Sequence, residues 1–356
     1  MNARDKNLAA PSRSHRAGNR VKPLNLALQG GGAHGAFAWG VLDRLLEDGR
    51  LDVEGVSATS AGAMNAVVLA HGLRLGGRDG AREALARFWQ AISESADRFS
   101  PFRQLPWMKG WGGHTLESSP LYLMTDLMLR VFSPYQFNPF NFNPLRQVLE
   151  DQVDFEALQA ASPIKLFLCA TNVETGKVRI FENPEITADA VLASACLPFL
   201  FQAVEIDGEH FWDGGYVGNP AIFPLIYHCD CRDVLMVHIN PIVRKGVPTT
   251  AAEILNRINE VSFNSSLLRE MRAIAFVTGL IQKGKLDASE MKELYVHSLR
   301  SDETMAELGV SSKLNADWDF LCQLRDQGRE QAALWLRANF DAIGSRSSID
   351  IREAFL

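Results

Sequence analysis

Short continuous apolar runs alternate along this chain with longer stretches whose apolar residues recur at helical spacing. Residues 24–29 form one such run, leading directly into Gly30-Gly31-Gly32-Ala33-His34-Gly35, and a buried strand closed by a glycine turn is the simplest assignment. From Ala36 onward, Phe37, Val41, Leu42, Leu45 and Leu46 mark one face of a helix that Asp48-Gly49 ends. A second strand over 55–59 runs into Ser60-Ala61-Gly62-Ala63 and a helix through Met64, Val67, Val68 and Ala70. Strand, glycine turn and helix, twice over, is the grammar of a mainly parallel, doubly wound α/β sheet with helices on its faces.

Between about 98 and 145 the texture changes. Trp107, Trp111, Phe132, Tyr135, Phe137, Phe140 and Phe142 are interleaved with six prolines, which predicts an irregular insertion holding one short helix over 121–132. Such an aromatic stretch suits either burial against the core or a lid that admits an acyl chain. Regular structure resumes with strands over 164–172 and 177–181 and a helix over 188–195, followed by a strand over 203–206 and Phe211-Trp212-Asp213-Gly214-Gly215. Another buried strand is expected over 234–239, and helices over 250–282 and 318–340 make residues 246–356 a helical C-terminal region beside a catalytic domain over 23–245.

Composition changes this picture little. With 356 residues, 47% hydrophobic and 22% charged, the chain is long enough for a large core and is not a disordered or fibrous sequence. A net charge of −6 argues against nucleic acid as a partner. Residues 1–22 carry Arg4, Lys6, Arg13, Arg16 and Arg20 without an apolar core, so they read as a disordered basic tail and not a secretory signal. Five cysteines without a paired framework fit a reducing, cytoplasmic setting, with contact to a membrane at most peripheral. Cys229 and Cys231 stand near His228, but no second ligand pair lies at metal-binding spacing, so no metal is expected.

Two turns carry candidate chemistry. Gly30-x-Gly32-x-x-Gly35 after a strand satisfies the dinucleotide fingerprint, yet the acid needed at the end of the second strand is missing: Asp52 and Glu54 precede that strand, and Thr59 and Ser60 end it. The same loop suits an oxyanion hole, in which backbone N–H groups of Gly30, Gly31 and Gly32 face one developing negative charge, or a tight turn without ligand. Ala58-Thr59-Ser60-Ala61-Gly62 departs by one methyl from the nucleophile elbow G-x-S-x-G, although a serine there also reads as a helix N-cap. As its base, His238 and His297 qualify by chain order, and Asp213 by the glycines beside it that permit close approach. A β-turn aspartate is the ordinary use of Asp-Gly-Gly.

Taken together, Gln29-Gly30-Gly31-Gly32-Ala33-His34-Gly35, Thr59-Ser60-Ala61-Gly62-Ala63 and Asp213-Gly214-Gly215, in that order, resemble the patatin-like phospholipases. The resemblance extends through Ala170-Thr171-Asn172 and Ala193-Ser194-Ala195-Cys196-Leu197-Pro198 and covers about residues 24 to 240. It implies a three-layer α/β/α fold, Ser60 as nucleophile, Asp213 as base and the amides of Gly30, Gly31 and Gly32 as oxyanion hole, with His34, Gly35, Gly62, Gly214 and Gly215 supporting the motifs. The implied activity is a cofactor-free serine acyl hydrolase acting on lipid carboxylic esters, of phospholipase A or lysophospholipase type. A soluble esterase, thioesterase or polyester depolymerase using the same dyad is the alternative, as is a silent acyl-binding protein. Two positions depart from the family pattern: Ala58 stands where it has glycine, and His34 where it commonly has Arg or Lys.

Overall fold

A computed structural model describes residues 21–99, 131–287 and 291–356. The first strand, β1 (Lys22–Leu28), passes through the glycine loop into α1 (Gly35–Asp48), and β2 (Leu51–Ala58) passes through the serine turn into α2 (Ala61–Phe99), which kinks at Gly76 and Gly77. After the helix α3 (Pro144–Gln152) come β3 (Lys165–Asn172), β4 (Val178–Glu182), α4 (Ala188–Ser194), β5 (Val204–Ile206), β6 (Glu209–Asp213) and β7 (Asp233–Val237). The long α5 (Ala251–Gln282), β8 (Tyr295–Leu299), α6 (Trp318–Asn339) and α7 (Ile351–Phe355) complete the chain.

The strands form one sheet in the order β5-β6-β3-β2-β1-β7-β8, with β4 also paired to β3. From β3 to β8 every step of that order is parallel, while β4, β5 and β6 join antiparallel. Alternation along the strands separates two cores. Leu24, Leu26 and Leu28 of β1 face one side with α1, α2 and α6, whereas Ala27 faces the other with Leu267 and Met271 of α5 and Phe355 of α7. The result is the three-layer α/β/α arrangement expected of strands joined by crossover helices.

The C-terminal region is mainly helical but not wholly so. β8 pairs with β7 over Asp233↔Tyr295 to Val237↔Leu299 and extends the parallel sheet. Its five residues include His297 and Ser298, so no apolar run announces it; the His297 ring is accommodated by a 2.9 Å hydrogen bond to Asp233, which stands at the start of β7. Of the basic tail expected over 1–22, residues 1–20 lie outside the described residues while Lys22 already begins β1, and almost all of the helix expected over 121–132 lies outside them as well. Within the described end of the aromatic insertion, Tyr135, Phe137, Phe140 and Phe142 are exposed and not buried against the core.

Candidate active site

Register alone brings the two candidate side chains together. Ala58, the last residue of β2, is level with Leu168 of β3, two residues before the Ala170 that pairs with Asp213 of β6, so the turn carrying Ser60 leaves the sheet near Asp213. β1 adds the third component, because Leu28 is level with Ala58 and Gly30 lies against Ser60. A Cβ at Gly30 would lie 2.5 Å from Ser60 Cβ, so only glycine allows this approach.

Ser60 is the sharp point of its turn. Its φ of 57° is a left-handed conformation that non-glycine residues seldom hold. The turn is fixed from several sides: the Ser60 N–H donates to Ser194 Oγ at 3.0 Å, Ser194 Oγ donates to the Cys169 carbonyl at 2.7 Å, and the Met64 N–H donates to the Ser60 carbonyl at 3.1 Å. Thr59 Oγ1 donates to the Gly218 carbonyl at 2.7 Å. Ala58 itself is a fully buried residue of β2 outside the left-handed region, so its methyl does not bear on the elbow; the unusual backbone falls on the serine. The α2 helix begins only at Ala61.

Asp213 ends β6 with only 1% of its surface exposed. Its Oδ1 accepts the Gly215 N–H at 2.7 Å, and its backbone is fixed by Cys196 and Thr171. Burial raises its pKa to about 6, against the opposing effects of the Gly215 N–H, the Ser60 hydroxyl and the charge of Lys313. Oδ2 has no partner within hydrogen-bonding distance. The Ser60 hydroxyl lies near enough to the carboxylate to favour its charged form. A free oxygen and an ordinary pKa shifted toward neutrality are what a proton acceptor requires.

The glycine loop is held from behind by amide side chains. Gln29 is fully buried, and its Oε1 accepts the N–H groups of Ile239 and Asn240 at 2.9 and 3.0 Å. Its Nε2 donates to the Asn219 carbonyl and to Asn264 Oδ1. The Gly30 N–H donates to Asn219 Oδ1 at 2.7 Å and is thereby removed from the expected oxyanion set. Gly31 and Gly32, whose amides have no partner among the described residues, remain as candidate donors. Gly32 has φ 58° and lies against the Lys313 carbonyl, so a side chain there meets both backbone strain and a collision.

His34 does not face the serine. It is buried, its Nε2 meets Ser312 Oγ at 2.7 Å, and burial followed by the charge of Lys313 lowers its pKa to about 3, so the ring is neutral. Because Ser312 Oγ already donates to the Gly309 carbonyl, His34 Nε2 is the donor in that pair. The remaining motif glycines are packing positions: Gly35 against Ala61 and Trp89, Gly62 against the Leu28 carbonyl, Gly214 against the Cys169 carbonyl and Gly215 against Phe263. The two histidine alternatives are elsewhere. His238 packs on Phe355 without a hydrogen-bond partner, and His297 bonds Asp233 at the opposite end of the sheet. Asn219, Asn240, Asn264 and Lys313 were not expected at the site; each joins it from a segment with no local signature.

Comparison with known proteins gives a family and a few solved structures to which the chain is similar. The model of the family described as patatin-like phospholipase matches residues 26–226, more than half of the chain. No curated protein sequence matches. Among solved structures the chain is similar to VipD from Legionella pneumophila, with 16% identity over 85% of this chain and 67% of that one and a TM-score of 0.37. It is also similar to the type III effector ExoU, with 16% identity over 89% of this chain and 53% of that one and a TM-score of 0.33. A further match is full-length ExoU in complex with SpcU from Pseudomonas aeruginosa, with 16% identity, 90% and 54% coverage and a TM-score of 0.31. The chain spans about half the length of the ExoU chains.

Proposed function

The chain belongs to the patatin-like phospholipase family, and from that premise we propose that it is a serine acyl hydrolase cleaving the carboxylic esters of lipids, of phospholipase A or lysophospholipase type. The observation that carries the reading is the placement of Ser60, at a left-handed turn, near a buried Asp213 that keeps one oxygen free. Asp213 Oδ2 takes the proton from Ser60 Oγ as that oxygen bonds to the ester carbonyl carbon. The carbonyl oxygen gains the negative charge, and the N–H groups of Gly31 and Gly32 stabilise it at the start of α1. Collapse breaks the bond to the leaving alcohol, which receives the proton from Asp213. Water then repeats the sequence on the acyl-serine, giving its proton to Asp213 and releasing the fatty acid and free Ser60.

No helix among the described residues is long and apolar enough to cross a membrane. The test is product analysis after incubation with mixed phospholipid and lysophospholipid vesicles, beside soluble thioesters. Free fatty acid should appear from the lipids with the wild type and should be lost, along with fluorophosphonate labelling, in Ser60→Ala. Equal fatty-acid release by Ser60→Ala would refute the reading, and turnover of thioesters alone would reassign the substrate.

A further inference from the structure

The mechanism above leaves one charge at the site unused. Lys313 lies in the short turn Val310–Leu314 between β8 and α6, well beyond the segment that matches the family. Its backbone carbonyl packs against Gly32. Its Nζ donates to Asn240 Oδ1 at 2.7 Å, and Asn240 Nδ2 donates to the Gly30 carbonyl at 2.8 Å. The lysine therefore reaches the glycine loop twice, once through its own carbonyl and once through Asn240. Nζ also stands 5.9 Å from the centroid of Phe263, the ring against which Gly215 packs beside Asp213.

The charges around it show which group the ammonium serves. Lys313 faces Glu260, Asp213, Arg244 and His34. Glu260 already pairs with Arg244 at 2.6 Å and Arg257 at 3.1 Å, and His34 is neutral. Asp213 faces Ser60, Cys169, Cys196 and Tyr216 besides Lys313, and burial pushes both thiols and the phenol upward, so all three are uncharged at neutral pH. Among the described residues, Lys313 is therefore the cation that acts on the Asp213 carboxylate.

We propose that Lys313 is a positioning residue of the hydrolytic site: its ammonium, anchored on Asn240, keeps Asp213 in the proton-accepting form and braces the glycine loop. The proposal rests on the Ser60–Asp213 reading. Removing a cation makes protonation of a carboxylate easier, so the acid limb of kcat/KM should move to higher pH. Lys313→Met should raise that limb by about one unit, which is about a tenfold loss well below it and little loss at pH 8. Lys313→Arg, which keeps the charge, should return the limb to its wild-type position, whereas a merely structural defect would lower the rate equally at all pH values. If Lys313→Met does not fold, Lys313→Gln makes the same comparison.

A second measurement needs no turnover: titration of the Asp213 carboxyl carbon by NMR, assigned with Asp213→Asn, in the wild type and the Lys313 variants. A higher midpoint in Lys313→Met and a restored one in Lys313→Arg support the proposal. Coincident midpoints and acid limbs, with Ser60-dependent turnover intact, overturn it and leave the hydrolase reading standing. If Ser60→Ala instead hydrolyses esters like the wild type, the hydrolase reading fails by itself, and the carboxyl titration alone decides whether Lys313 governs Asp213.

Discussion

Ser60 holds a backbone conformation that costs an L-residue about 1–2 kcal/mol. Glycine adopts it without that cost, so Ser60→Gly should be more stable than Ser60→Ala by about 1 kcal/mol in chemical denaturation, with both inactive. Asp213 stores a related conflict. Its folded pKa of about 6 stands above the ordinary 3.8, so its contribution to stability is fully present below 3.8 and is lost as pH rises through 6. Asp213→Asn should therefore abolish turnover and also flatten the melting temperature between pH 4 and 8 relative to wild type, as scanning calorimetry would record. Both residues were legible beforehand because glycines or small residues flank them within a few positions. The amides that hold the loop were not: Asn219 and Asn240 meet Gln29 and Gly30 across about 190 and 210 residues of chain, and an asparagine in a loop does not announce a partner at that distance.

At the scale of elements, α1 and α6 cross with their backbones in contact. A Cβ at Gly40 would strike the Arg325 carbonyl, and one at Gly328 the Phe37 carbonyl. Alanine gains about 1 kcal/mol of helix propensity at either site, but backbone carbonyls cannot move aside as side chains can, and overpacking of this kind costs about 1–3 kcal/mol. The collision should win, so Gly40→Ala and Gly328→Ala should each lower the unfolding midpoint. In the loop that feeds α1, a Cβ at Gly31 would lie 2.7 Å from Ile239 Cγ2. Gly31→Ala should accordingly lower kcat by about a hundredfold, the scale of losing one oxyanion donor, with a smaller change in KM in steady-state assays. The buried stretches of β1, β2, β3 and β7 could be read from their apolar runs, since strands covered on both faces are largely apolar, but β2 begins at Leu51 and not at 55, so Asp52 and Glu54 stand in its partly exposed first half and not before it. β8 could not, because its histidine is satisfied by Asp233, a residue 64 positions away.

For the molecule as a whole, the boundary expected near 245 divides a continuous structure. Ending the chain at Lys245 would leave β7 as an exposed sheet edge and uncover the face of α1 that α6 packs against. Such a fragment should be insoluble or lack a cooperative melt by circular dichroism, despite carrying Ser60 and Asp213; a soluble fragment with a sharp transition would restore the two-part division. The Lys313–Asn240–Gly30 chain of contacts gives the same topology a meaning in time. A ribosome adding roughly 5–20 residues per second makes Lys313 about 5–20 s after Asp213. Ser60 and Asp213, the proposed nucleophile and base, are thus made long before the lysine whose contacts reach the glycine loop, and α6, which seats the helix beginning at that loop, comes later still. The nascent chain carries Ser60 and Asp213 unassembled, and the order of synthesis itself delays the moment at which the proposed hydrolytic site can act.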